Sequence, residues 1–196
     1  MKIQGMLMTQ QQSEIKEIER LFEEGDIDAV NKLLPPLLER NVPAAIRIRA
    51  FISNVESDSE EFDKNFTAGM FKAAELGDKQ ARYQVGVFYD IGLYGIERDR
   101  KKASKIFKEL ADEGDSHCMW IHACELLWGL GTYPQSVEVG LNYLEMAIKN
   151  GSAEACITKA RLYREQEFGF TSNEKEVNRL RGLAKEYDET VFDPYA

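Results

Sequence analysis

Apolar residues recur at helical spacing along most of this chain, and the stripes are interrupted at regular places. Ala81, Val85, Phe88 and Tyr89 lie on one face of a predicted helix. Gly77 and Asp78 precede it, a helix-stopping residue followed by a helix-capping one. Gly92-Leu93-Tyr94-Gly95 then breaks the pattern. Asp99 opens a second helix with the stripe Ala103, Ile106, Phe107, Leu110 and Ala111. Arg98, Arg100, Lys101, Lys102, Lys105 and Lys108 fill the positions between and face solvent.

This two-helix pattern repeats. Gly77, Gly114 and Gly151 are 37 residues apart, and Asp78, Asp115 and Ser152 follow them. Ala81, Cys118 and Ala155 share a register, as do Tyr83, Trp120 and Ile157, and Gly86, Ala123 and Ala160. Asp99, Ser136 and Asn173 are the predicted caps of the second helices, with Asn173 and Glu176 spaced as a capping box. Stepping back one period reaches Asn41, Ala44, Ile46 and Ala73. A helix pair with one apolar stripe each cannot bury both stripes alone, so pairs must stack on their neighbours. The expected organisation is an all-α solenoid: an N-terminal tail and helical cap over 1–40, four repeats over 41–77, 78–114, 115–151 and 152–188, and a tail over 189–196.

The ends are less regular. Residues 1–12 are expected to fray, and Ser13 to Glu24 to form a helix with Ile15, Ile18, Leu21 and Phe22 inward. Asp26 or Asp28 starts the next, and Pro35-Pro36 ends or kinks it. Glu56 to Glu61 is a loop or a helix start, and the tail from Asp188 is not helical.

The residues Ala81-Arg82-Tyr83-Gln84-Val85-Gly86-Val87-Phe88-Tyr89, then Gly92, Gly95, Asp99, Lys102-Ala103, Phe107, Ala111 and Gly114, resemble a Sel-one-like repeat. That family is a relative of the tetratricopeptide repeats. The resemblance is specific over 78–114. It weakens over 115–151, where Thr132-Tyr133-Pro134 replaces a loop glycine and Gly140 replaces an alanine, and further in the two outer repeats. It implies a right-handed α-solenoid of antiparallel helix pairs whose role is to hold proteins or peptides. Bacterial members of such families act in signalling, secretion and host contact, or as immunity proteins that neutralise toxins of interbacterial competition, which gives a second functional reading.

Composition narrows the partners. The chain has 196 residues, 25 Lys and Arg against 34 Asp and Glu, and a net charge of −9. That balance disfavours nucleic acid and anionic membrane as partners and favours a protein or peptide of basic character. No apolar run approaches the roughly 20 residues of a membrane helix, and the N-terminus does not read as a signal peptide. Three cysteines without framework spacing are read as reduced thiols, which suggests a cytoplasmic protein.

Candidate chemistry is sparse. Cys118 and His122 share a helix face and could form half a metal site or serve a hydrolase. Their register with Ala81 and Val85 instead predicts core packing, with His122 among Ala and Leu side chains. No nucleophile elbow, phosphate loop or dinucleotide glycine pattern occurs, so neither cofactor nor metal is expected and the chain is read as non-catalytic. A partner groove is expected on the first helices, from Gln80, Tyr83, Asp90, His117, Trp120, Leu127, Trp128, Arg161 and Arg164. Tyr83 and Trp120 stay open between groove and core. Val191, Phe192 and Tyr195 make the tail a candidate for self-association.

Overall fold

The structure, a computed structural model, describes residues 2–52 and 59–194. Among these residues all regular structure is helical. The chain divides into two compact units, Met1–Phe88 with Gly92–Glu97, and Tyr89–Ile91 with Arg98–Ala196.

The first unit holds α1 (Lys2–Glu23), α2 (Ile27–Leu33), α3 (Pro35–Glu39), α4 (Pro43–Phe51), α5 (Ser59–Glu75) and most of α6 (Lys79–Ile91). α1 is helical from Lys2, so the expected fraying does not occur. Asp26, not Asp28, caps α2, accepting from the Ala29 N–H at 3.0 Å. Pro35 starts α3 because its missing N–H lies where a helix has no acceptor for one. Ser59 to Glu61 open α5; Glu56 lies outside the described residues. Ile18, Val30, Leu34, Leu37, Val42, Ala45 and Ile48 form one core.

A second, aromatic cluster closes the same unit. Phe66 meets Phe51, Phe88 and Tyr94 at centroid distances of 5.1, 5.6 and 5.2 Å. Tyr94 reaches it through a left-handed backbone, φ 54°, which costs of order 1–3 kcal/mol at a non-glycine residue. Gly69 is where α5 crosses α4 most tightly: a Cβ there would sit 2.6 Å from the Ala50 Cβ. Two backbone-fixed carbons cannot rotate away. Gly69→Ala is therefore expected to destabilise by about 1–2 kcal/mol despite the better helix propensity of alanine. A rise in melting temperature by differential scanning fluorimetry would contradict this.

The second unit holds the end of α6, then α7 (Arg100–Asp112), α8 (Ser116–Trp128), α9 (Val137–Lys149), α10 (Ala153–Glu165), a 3-10 turn (Glu167–Gly169) and α11 (Glu174–Tyr187). From α6 onward the helix starts keep the 37-residue interval, Lys79, Ser116 and Ala153 alternating with Arg100, Val137 and Glu174. The reason is local. Gly77, Gly114 and Gly151 adopt φ 93°, 98° and 89°. In each, the next residue donates back to a carbonyl five positions earlier: Asp78 to Ala73, Asp115 to Leu110, Ser152 to Ala147. This closure satisfies the orphan carbonyls of the ending helix. The following side chain then caps the new one, Asp115 accepting from the Cys118 N–H at 2.8 Å and Ser152 from the Ala155 N–H at 3.1 Å. Upstream the interval slips: Asn41, φ 53°, takes the glycine's place in the same closure, not the aspartate's.

The second-helix caps differ among themselves. Asp99 and Asn173 accept from the N–H three residues on. Glu176 turns to Arg179 at 2.9 Å, so only half of the expected capping box forms. Ser136 sits at the cap position of α9 without a side-chain cap bond. Its backbone N–H donates to Leu126 O at 3.0 Å, as Asp99 donates to Tyr89 O at 2.8 Å. The expected hydroxyl cap does not form, and α9 keeps only the backbone anchor that α7 has in addition to its cap.

Candidate functional site

Within the second unit, α8 lays one side along α10. The face is set by spacing: positions 117, 120, 124 and 128 are separated by three or four residues and so stack on one edge. His117 Nδ1 lies 3.0 Å from Glu154 Oε1. The Trp120 indole N–H donates to Thr158 Oγ1 at 2.8 Å. At the far end the Arg161 guanidinium lies 4.3 Å from the Trp128 ring centroid, and Phe168 meets the same ring edge-on at 5.6 Å. Arg161 is held in turn by Glu167 at 3.1 Å and Glu165 at 3.6 Å. Both indoles are half-buried, and His117 keeps 39% of its side chain exposed. The result is a strip of two indoles, an imidazole and a stacked arginine.

Of the predicted groove residues, His117, Trp120, Trp128 and Arg161 come together here. Arg164 is exposed at the end of α10 beside Glu165. Asp90 pairs with Arg100 at 3.5 Å. In the first unit, Gln80 is exposed and Tyr83 half-buried. Leu127 is a correction: it is wholly buried. In the repeat register Gly140 stands where Ala103 stands one period earlier. The missing methyl is replaced by Leu127, whose Cγ lies 2.9 Å from where a Gly140 Cβ would be. Phe168 belongs to the strip but lies in a loop, outside any helical periodicity. Like Tyr94, it takes a left-handed backbone, φ 51°.

The Cys118–His122 region is enclosed: Cys118 is wholly buried and His122 is 2% exposed. His122 is packed in the core as expected, and aromatic rings also stand against it. The rings of Tyr133 and Tyr143 stand edge-on to it at 5.0 and 4.8 Å, and its Nδ1 is 3.3 Å from Glu125 Oε2. Tyr133, the loop's departure from the repeat pattern, is what covers it. Glu125 also accepts a short hydrogen bond from Ser104. Order matters here: the carboxylate sits between hydroxyl and imidazole, so the imidazole cannot take the serine proton, as a nucleophilic triad requires. Tyr143 donates to Asp112 at 2.6 Å; the phenol is pushed up by burial and by that carboxylate. Burial pushes the Cys124 thiol up to about 12 and the Cys156 thiol to about 11, so both stay protonated and poor as nucleophiles or metal ligands. Among the described residues no three His, Cys, Asp or Glu side chains gather where they could hold a metal ion. Nor, among them, is any helix long and apolar enough to cross a membrane.

The tail folds back on its own unit. Val191 packs against the cluster of Ala153, Cys156, Ile157 and Ala184. Phe192 is 80% exposed, and Tyr195 lies outside the described residues. Val191 is therefore engaged within the chain.

Comparison with known proteins agrees with the architecture. A Sel1 repeat protein from Oxalobacter formigenes superposes with a TM-score of 0.70 at 23% identity, over 88% of this chain and 71% of that one. A protective antigen of uropathogenic Escherichia coli with an SLR fold superposes with a TM-score of 0.62 at 15% identity, over 81% of this chain and 34% of that one. This chain spans about a third of the antigen's length. No protein-family model and no curated sequence matches. The fold is that of the Sel1-like repeats, an all-α solenoid of helix pairs.

Proposed function

We propose that this chain is a non-catalytic protein-binding module, and that the α8–α10 strip is where its second unit grips a partner. The observation that carries the reading is Trp128, a half-buried indole with Arg161 stacked on its face and Phe168 edge-on to it. Tryptophan and arginine are the residues on which interface energy concentrates. A cation stacked on an indole adds about 0.5–1 kcal/mol and fixes the ring for contact. The strained backbone at Phe168 supports the same reading, since strain is retained where it positions a side chain for use. A repeat fold supports holding over turnover, because stacked helix pairs offer an extended surface. Arg164 at the end of α10 and Asp90 at the end of α6 are further candidate contacts; Gln80 and Tyr83 are candidates in the first unit in their own right. The net charge of −9 favours a basic protein or peptide by steering the encounter. Reduced thiols favour the cytoplasm.

The test is Trp128→Glu. Partner capture from source-cell extract, identified by mass spectrometry, is expected to be lost. The melting temperature is expected to move by no more than about 2–4 °C, the shift of a 1 kcal/mol change in a chain of this size. Retention of the same partner at wild-type yield would place the binding face elsewhere.

A further inference from the structure

Between α10 and α11 lies a pocket with an apolar floor of Ile157, Ala160 and Val177 and a rim of three arginines, Arg161, Arg164 and Arg181. A carboxylate already sits in it. Asp193, from the chain's own tail, accepts from Arg181 Nε at 2.7 Å, and its side chain is only 12% exposed. Charge is matched around the rim: Arg161 with Glu165 and Glu167, Arg164 with Glu165, and Arg181 with Asp193. The first two arginines are served from α10 and the turn after it. Arg181 is served by the tail.

The manner of attachment is that of a bound peptide. After Tyr187 the chain has no further helix among the described residues. Val191 and Asp193 are inserted, and Phe192 between them is 80% exposed. Alternation of inward and outward side chains is how an extended segment docks on a surface. A desolvated carboxylate facing a guanidinium is a directional contact that exposed pairs lack. A segment outside regular structure, held through Val191 and Asp193, opens at lower free energy than the helices it lies on.

We propose that this pocket is a docking site for an acidic, extended segment of a partner protein, with an apolar residue two positions before the recognised carboxylate, and that Val191–Asp193 occupies it as a built-in competitor. Tethering presents the tail at millimolar effective concentration, so a partner segment must be tighter or multivalent to displace it. The pocket shares Arg161 with the α8–α10 strip, but its test changes only Arg181, Val191 and Asp193, whereas the readout of the strip is capture of a whole partner.

The test uses the full chain and a fluorescein-labelled peptide of its own residues 188–196, read by anisotropy. Wild type is expected to bind the peptide weakly. The released chain, Val191→Ser with Asp193→Asn, is expected to bind it ten-fold or more tighter. Adding Arg181→Gln to the released chain should remove that gain, and Arg181→Lys should restore part of it. A peptide carrying Asp193→Asn should not bind. Equal binding by wild-type and released chains overturns the proposal, as does tight binding that survives Arg181→Gln in a protein with an unchanged circular dichroism spectrum. A concentration-dependent dimer of the wild type in sizing chromatography, abolished by the release, also overturns it, because the tail would then serve a second copy.

Discussion

Truncating Glu125 to alanine is expected to lower the stability of the second unit by about 3–5 kcal/mol, the cost of removing one partner from a buried charged cluster. Glu125 is 9% exposed and takes hydrogen-bonding groups from two directions, the Ser104 hydroxyl from α7 and the His122 ring from its own helix. Its removal leaves both without an acceptor in a place water does not reach, and opens a void between α7 and α8. Glu125→Gln keeps the volume and one acceptor and should cost less. The register supplies a sharper control. One period before and after, the position holds Phe88 and Leu162, both wholly buried. The triple replacement Glu125→Leu, His122→Val, Ser104→Ala converts the cluster to an apolar one and is expected to regain most of the loss. Urea midpoints at constant m-value measure all three variants. A triple variant no more stable than Glu125→Ala would show that volume, not polarity, dominates.

Arg47→Ala is expected to cost the first unit about 3 kcal/mol, again through an abandoned buried partner. Arg47 is 8% exposed and reaches both Glu19 of α1, at 2.6 Å, and Asp78, the cap of α6, at 3.1 Å. One guanidinium thus ties an N-terminal helix to the start of a repeat. The Asp78 side chain is only 9% exposed and keeps its bond from the Ala81 N–H, which limits the penalty. Arg47→Met retains the stem and should cost less than alanine. Because the pair with Asp78 is largely shielded, raising salt from low to about 1 M should change the wild-type advantage little. A loss below 1 kcal/mol would assign Arg47 to the ordinary surface pairs.

The sequence was most legible where structure is decided by short-range chemistry. Gly77, Gly114 and Gly151 need a left-handed backbone, and Asp78, Asp115 and Ser152 a short acceptor, so both types recur visibly and the helices start where these residues put them. Side-chain destinations were less legible, since they depend on the facing helix. The burial of His122 is legible from its register with Val85, whereas the rings of Tyr133 and Tyr143 arrive from a loop and from α9 and are not. Glu125 looks like an ordinary surface residue until its register with Phe88 and Leu162 is read. Of the strip, the α8 residues were legible from their spacing, and Phe168 was not, because a loop has no period. The Arg181–Asp193 contact joins residues in α11 and the tail, which no spacing rule connects.

The close approach of Leu127 to Gly140 has a consequence for redesign. Volume is kept across the α8–α9 contact and not at either site alone. Writing at 140 the alanine of the preceding repeat, with leucine left at 127, puts one carbon too many in the space. A side chain at 140 therefore requires a smaller residue at 127.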